Sequence, residues 1–324
     1  MALSPLPPLL RGGVRRKADG GVILRKGKIF MLDFKELTWQ DKDAYSQYYS
    51  ESPVHYAEYS FLNLYAWRKA YPIEFAVIDE NLCLLRSGGP LPGMFGPVGN
   101  WNAVEDWDGV LKNFKPGDLI YDVPEEIKNI LESRENLKFN EDRDQHEYVY
   151  AVKDLINLKG KAFAQKRNRV RAFLDGYEWD YYEMTPEYFD DVMKFQEQWR
   201  VHREENLNEE EIKSLDSEDV AIQNVLEKWN DFNLTGGVLK VDEKVIAYTI
   251  ACELDEKNLD VMFEKAFPEY AGSYQAINFL FQKNQGYKYE FANREEDMGE
   301  PGLREAKLSY NPAMMLKKFI MEIL

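Results

Sequence analysis

The chain has 324 residues, 44% of them hydrophobic and 14% aromatic, which is enough for two domains with separate cores. Its formal charge of −16 sets up a field that repels nucleic acid and anionic lipid at long range, which excludes unspecific coating of DNA or RNA. No stretch approaches the roughly 18 apolar residues of a membrane-spanning helix, so no integral membrane segment is expected.

Residues 1–30 carry seven bases against one acid, with Pro and Gly clusters and no helical or strand period. They read as a disordered leader. As a signal peptide the stretch is poor, because the charges follow its short apolar part. Met31 reads as the opening of the folded chain, and residues 31–324 then carry −22. Thr38 with Asp41 three residues on starts a helix that Pro53 stops. "SFLNLYAWRKAY" continues with aromatic and aliphatic residues at helical or mixed spacing, and "FAVID" and "LCLLRS" form a hairpin about Asp79-Glu80-Asn81. In "GGPLPGMFGPVGN", Gly93, Gly96 and Gly99 recur every third residue, but Pro92 and Pro97 mark a turn-rich loop rather than a dinucleotide fingerprint. Helix "VEDWDGVLKNF", strand "DLIYDV", helix "PEEIKNILES" and strand "HEYVYAV" complete a first domain, residues 31–155.

A second domain, residues 156–324, opens on "LKGKAFAQKRNRVRAFL", six bases and no acid in a remainder of −28. At about 100° per residue, Phe163, Val170, Phe173 and Leu174 form an apolar stripe on a helix over 161–174. Lys166 lies beside the stripe, and Lys161, Arg167, Arg169 and Arg171 spread around the rest. "YEWDYYEMT" reads as strand and turn, and an acidic helical region follows from Pro186 to about Trp229. Three strands come next, "GVLKVD", "KVIAYTIACEL" and "LDVMFEKAF", separated by turn-formers. Helix "SYQAINFLFQKNQG" buries Ile277, Leu280 and Phe281. Strand "YKYEFAN", a Gly/Pro loop and a closing helix "PAMMLKKFIMEIL" end the chain. Hairpins joined by a crossover helix predict an α/β fold with mixed sheets and helices on their faces.

Cys83 and Cys252 lie far apart within strands, so buried thiols in a reducing cytoplasm are expected rather than a disulfide. His55, His146 and His202 show no ligand spacing, and no metal is expected. No nucleophile elbow or phosphate-binding Walker loop is present.

Three stretches, "DLINLKGKAFAQKRNRVRAF", "FEKAFPEYAGSYQAINFLF" and "FANREEDMGEPGLREAKLSYNP", together resemble the bacterial DUF2156 family. Its domain is similar to the C-terminal domain of phosphatidylglycerol lysyltransferase. The resemblance implies two tandem GNAT-like acyltransferase domains, related also to the Fem peptidyltransferases that use aminoacyl-tRNA. It covers nearly all of residues 31–324.

In that fold the donor binds where neighbouring parallel strands splay apart, its phosphates on the next helix N-terminus. The positions that correspond here are Glu269, Gly272 and Tyr274, and Gly272 alone matches the CoA pattern. Donor phosphates, of acyl-CoA or of an aminoacyl-tRNA end, are assigned to Lys161, Arg167, Asn168, Gly272 and Ser273. The alternative for the basic residues is a solvated helix face paired to nearby acids. Asn293, Arg294, Asp297, Arg304 and Lys307, in a polar turn after a strand, are assigned to substrate. Glu264 is the candidate base, with Glu253 as its rival, and Tyr310 is the candidate proton donor to the leaving group. The expected activity is acyl or aminoacyl transfer to a small-molecule or peptide acceptor. The alternative is a ligand-binding protein that keeps the fold without turnover.

Overall fold

A computed structural model describes residues 22–25, 28–88, 93–204 and 209–324. The chain divides into an N-terminal unit, which ends at His146 and is completed by Leu316–Leu324, and a C-terminal unit, Glu147–Met315. The division therefore falls at Glu147 rather than near residue 155, and the last nine residues return to the first unit. Each unit carries a seven-stranded mixed sheet among the described residues.

In the N-terminal unit, β1 (Val22–Arg25) and β2 (Lys28–Met31) form an antiparallel hairpin inside the stretch expected to lack strands. The disorder expected of residues 1–21 concerns residues outside those described. β3 (Lys35–Glu36) leads to α1 (Lys42–Glu51), which is entered through the expected Thr38–Asp41 box. The Thr38 backbone N–H and hydroxyl donate to the Asp41 carboxylate at 3.0 and 2.7 Å. Then come α2 (Phe61–Trp67), β4 (Ile73–Asp79), β5 (Leu82–Ser87), β6 (Gly93–Gly99) and α3 (Trp107–Leu111). After them stand β7 (Leu119–Pro124), α4 (Glu125–Leu131) and β8 (Leu137–Glu141). Part of the segment read as a Gly/Pro loop is thus strand β6, paired to β5.

The closing segment is also corrected. It is not a helix but two strands, Met314–Leu316 and Lys318–Ile323. Phe319, Met321 and Ile323 alternate into the N-terminal core, a period of two that the surrounding Met, Leu and Lys obscure. Lys318–Ile323 pairs antiparallel with β7 on one side and β8 on the other.

The C-terminal unit runs β9 (Glu147–Ala151), α5 (Val152–Asn157), α6 (Ala164–Gly176), β10 (Trp179–Glu183), α7 (Phe189–Glu204) and α8 (Glu209–Glu227). Next are β11 (Leu234–Val241), β12 (Lys244–Glu253), β13 (Asn258–Ala266) and α9 (Ser273–Asn284). It ends with β14 (Phe291–Asn293), α10 (Pro301–Leu308) and β15 (Met314–Leu316). The sheet order is β10-β11-β12-β13-β14-β9-β15. Helix α10 stands where a Gly/Pro loop was expected, because Pro301 occupies the first helical turn, where its missing N–H costs nothing. Ala276, Ile277, Leu280 and Phe281 of α9 are buried, as the 3.6-residue period requires.

β13 and β14 run parallel, and their pairing positions the site. It spans only Asn258↔Phe291, Leu259↔Ala292 and Asp260↔Asn293. β13 continues to Ala266, whereas β14, paired to β9 on its other side, keeps only that partner beyond Asn293. There the Arg294 N–H donates to the Tyr148 carbonyl at 2.9 Å and the Tyr148 N–H to the Glu295 carbonyl at 3.0 Å. The two parallel strands therefore part after Asp260 and Asn293. No described helix is long and apolar enough to cross a membrane.

Candidate functional site

A cavity of about 460 Å³ opens where β13 and β14 part. Glu264 enters it from β13 and Arg294 from the end of β14. Their side chains meet across the gap, Arg294 Nη2 donating to Glu264 Oε1 at 2.8 Å. Asn278 Nδ2, from α9, donates to Glu264 Oε2 at 3.0 Å, so both carboxylate oxygens are engaged. The Arg294 guanidinium also lies 5.0 Å from the centre of the Tyr310 ring and 5.6 Å from that of Tyr150. Burial pushes the Tyr310 hydroxyl pKa up, and Arg294 opposes that shift. The hydroxyl therefore stays protonated through the neutral range.

Helix α9 begins at the cavity wall. Its first residue is preceded by Gly272 at φ 89°, and a Cβ there would stand 2.5 Å from the Arg169 carbonyl oxygen of α6. Only glycine permits both that backbone and that approach. No described side chain caps the helix, and the Ser273 hydroxyl turns away to donate to the Phe267 carbonyl at 2.8 Å. The Ser273 N–H donates to the Tyr270 carbonyl at 3.0 Å, which leaves the N–H groups of Tyr274 and Gln275 as the backbone donors at the positive end of the helix. Tyr274, the bulky residue at a position where the CoA pattern has Gly or Ala, is drawn inward, its hydroxyl accepting from Trp199 Nε1 at 3.3 Å. Lys166 and Arg169 of α6 line the same cavity beside this helix start. The lining has four cationic side chains, Lys166, Arg169, Arg294 and Lys307, against the carboxylates of Glu264 and Glu305. It is locally basic within an acidic protein.

The loop after β14 is held from within. Lys307 Nζ donates to the carbonyls of Arg294 and Glu296. Asp297 accepts from Tyr148 Oη at 2.5 Å, from Arg304 Nε and Nη2 at 2.9 and 2.7 Å, and from the Gly299 N–H at 2.8 Å. Burial alone would raise the Asp297 pKa, but Arg304, Tyr148 and Gly299 outweigh it and hold the carboxyl below its ordinary range. Asn293 Nδ2 donates to Glu147 Oε2 at 2.5 Å, and its Oδ1 accepts from the Glu295 N–H at 2.9 Å. Asp260 is fully buried beside this loop, with neither oxygen hydrogen-bonded among the described residues. Burial, then Glu147 and Glu296, push its pKa well above the ordinary carboxylate value, against Lys307.

Of the residues singled out from sequence, the cavity brings together Glu264, Gly272, Ser273, Arg294, Lys307 and Tyr310. Asn293, Asp297 and Arg304 do not line it; they shape the loop that carries Arg294. Lys161 and Asn168 are exposed and outside the lining. Arg167 donates to the Leu158 and Gly160 carbonyls and so closes the turn before α6. Lys166 and Arg169 stand in the cavity instead. They lie three residues apart and share a face, whereas Arg167 is turned about 100° from Lys166. The available sign was the place of Lys166 next to the apolar stripe. Glu253 lies toward the other end of the sheet, opposite Leu259, and accepts from Tyr289 Oη at 2.9 Å. Among the described residues no group of three or more His, Cys, Asp or Glu is arranged to hold a metal ion.

The family described as phosphatidylglycerol lysyltransferase, C-terminal, matches residues 51–322. A conserved protein of unknown function from Bacteroides thetaiotaomicron is 30% identical, with a TM-score of 0.77 over 91% of this chain and 100% of that one. L-PGS from Bacillus licheniformis shares the fold at 16% identity, with a TM-score of 0.59 over 89% of this chain and 92% of that one. An uncharacterized protein of Mycoplasmoides gallisepticum is 23% identical over 189 residues, 55% of this chain, and the match spans 56% of that relative's length. The architecture is two tandem GNAT-like units, as the sequence resemblance implies.

Proposed function

The chain belongs to the phosphatidylglycerol lysyltransferase C-terminal family, and from that premise we propose that it moves an acyl or aminoacyl group from an anionic donor to an amine or hydroxyl. The observation that carries this reading is the open N-terminus of α9 facing Lys166, Arg169 and Arg294 in one cavity with Glu264 and Tyr310. Backbone donors at a helix start, joined by Arg169, which lacks a carboxylate partner among the described residues, favour a phosphate-bearing ligand. Acyl-CoA and an aminoacyl-tRNA end share that chemistry. The α9 start and Arg169 would hold the phosphates of either.

The acyl carbonyl would then lie toward Arg294, whose charge stabilises negative charge developing on the carbonyl oxygen. Glu264 fixes the guanidinium in place. Tyr310, protonated and buried, can supply a hydrogen bond to the departing oxygen or sulfur. Most of the rate gain would come from holding donor and acceptor together in the cavity. An acidic protein of −16 suits a basic acceptor, either a small amine or a lysine-bearing peptide.

Calorimetric titration with acetyl-CoA and, separately, with lysyl-tRNA tests the donor. Saturable binding that weakens with salt, followed by transfer to an amine panel, is the expected result. Binding without transfer to any acceptor would make the chain a ligand-binding protein on a transferase fold. Binding of neither donor would overturn the reading.

A further inference from the structure

Several lysines of this protein are nearly or fully buried, and they are not alike. Lys265 is 1% exposed and ion-paired to Glu218 at 2.7 Å. Lys318 is 0% exposed and ion-paired to Glu58 at 2.9 Å. Lys307 is 6% exposed and donates to two carbonyls. Lys166 is equally withdrawn at 6%, yet among the described residues its amine has neither a hydrogen-bond acceptor nor a carboxylate within ion-pair reach. Its Nζ lies 4.2 Å from the centre of the Tyr310 ring, at the cavity wall. The stem is buried while the amine opens on the cavity, where burial and the neighbouring cations Arg169 and Arg294 disfavour the protonated form.

We infer that Lys166 is the proton carrier of the transfer reaction, taking a proton from the attacking acceptor and returning it to the leaving group. The inference rests on the proposed transferase reading and deepens it. Of the other titratable groups that line the cavity, Glu305 is exposed on α10, and the buried ones are committed. Glu264 has both oxygens engaged by Arg294 and Asn278, and Lys307 is spent on the loop carbonyls. Tyr310 can donate but, held protonated by burial, does not accept a proton as a base.

In the step, the neutral Lys166 amine takes the proton from the acceptor N–H or O–H as the acceptor lone pair forms the bond to the acyl carbon. The C–O bond of an aminoacyl ester, or the C–S bond of a thioester, then breaks. The leaving oxygen or sulfur receives the proton from the Lys166 ammonium, and the amine is regenerated. The charged and titratable groups facing Lys166 are Arg169 on its own helix, Arg294 and Glu264 across the cavity, and Glu305, Lys307 and Tyr310 from α10 and the residues after it. Burial, then Arg294 and Arg169, lower its pKa to about 8, with Glu305 opposing. That value leaves a useful neutral fraction near physiological pH.

The test pairs a chemical measurement with a kinetic one. Competitive acetylation of the full-length protein by acetic anhydride across pH, read by peptide mass spectrometry, should show Lys166 titrating near pH 8; titration at the ordinary value of an exposed lysine would overturn the proposal. With whichever of acetyl-CoA and lysyl-tRNA supports transfer, the wild-type rate should rise through about pH 8. Lys166→Arg keeps the charge but removes the base. It should lower kcat by at least 100-fold, remove that limb of the profile, and leave donor binding within a few-fold. If Lys166→Arg keeps kcat and raises only KM, Lys166 is a donor-binding cation and the proposal fails while the transferase reading stands. Absence of wild-type transfer from both donors would instead overturn the transferase reading, and this role with it.

Discussion

Each unit contains a strand–helix–strand step whose strands run parallel, β6 to β7 through α3 and β13 to β14 through α9. In the N-terminal unit the intervening helix has five residues, and Asp106 caps it, its carboxylate accepting from the Gly109 N–H at 2.8 Å. The helix start is closed by a negative charge of the protein's own. In the C-terminal unit the helix has twelve residues, Gly272 precedes it, and no described side chain covers its start. The basic residues diverge in the same direction. Lys318 is sealed in the N-terminal unit against Glu58, whereas Lys166 and Arg169 reach the C-terminal cavity without a described carboxylate partner. Shared topology supplies the parallel step twice. The polar groups left unpaired make one of the two a candidate site.

Four measurements can break or sharpen that contrast. The largest effect is expected at the paired lysines. Lys265→Met leaves Glu218 buried without its cation and should cost about 3–5 kcal/mol in urea unfolding. Lys166→Met orphans no partner and should stay within about 1 kcal/mol of wild type. Equal losses would mean that Lys166 is a structural cation like the others.

Next is Asp260→Asn, which probes the strand pair at the base of the cavity. The folded pKa of Asp260 is raised. Its buried carboxyl is therefore tolerated below the ordinary Asp range and becomes a liability as pH rises above it. The variant should match wild type near pH 4 and exceed it by about 1–3 kcal/mol at pH 8. A wild type that gains on the variant with rising pH would show that Asp260 is charged and partnered.

Gly272→Ala places a Cβ against the Arg169 carbonyl at a left-handed backbone position. About 1–2 kcal/mol of stability should be lost, together with at least tenfold in affinity for inorganic pyrophosphate. Unchanged pyrophosphate binding would remove the α9 start from the site. The smallest effect is at the counterpart. Asp106→Ala should cost about 1 kcal/mol in thermal unfolding, with no pyrophosphate binding gained in the N-terminal unit. Gain of binding there would show that the cap alone separates the two steps.

Much of the architecture was legible residue by residue. The three strands over 234–266 alternate and are separated by turn-formers, and helix α9 carries Ile277, Leu280 and Phe281 at helical spacing. The closing strand was misread because a short Met- and Lys-rich run satisfies helical propensity as well as a period of two. Pro301 read as a loop signal but opens α10, because a proline that cannot continue a helix is well suited to the first turn of a new one. At the site, Glu264, Gly272, Arg294 and Tyr310 stood out by type and position. Lys166 did not. The four bases of α6 look alike until its packing on α9 selects which two face the cavity.

The amino-acid sequence by itself determined the periods, caps and turns of this protein, and through them the tandem mixed-sheet fold, because those signals depend on neighbours a few residues away. Only the tertiary structure decided that residues 316–324 complete the first unit, that β13 and β14 part after three residue pairs, and that Lys166 is buried without a described carboxylate partner. Strand pairing and the burial of charge are set by groups more than a hundred residues apart, such as Lys166 and Tyr310. No local pattern in the chain records that proximity.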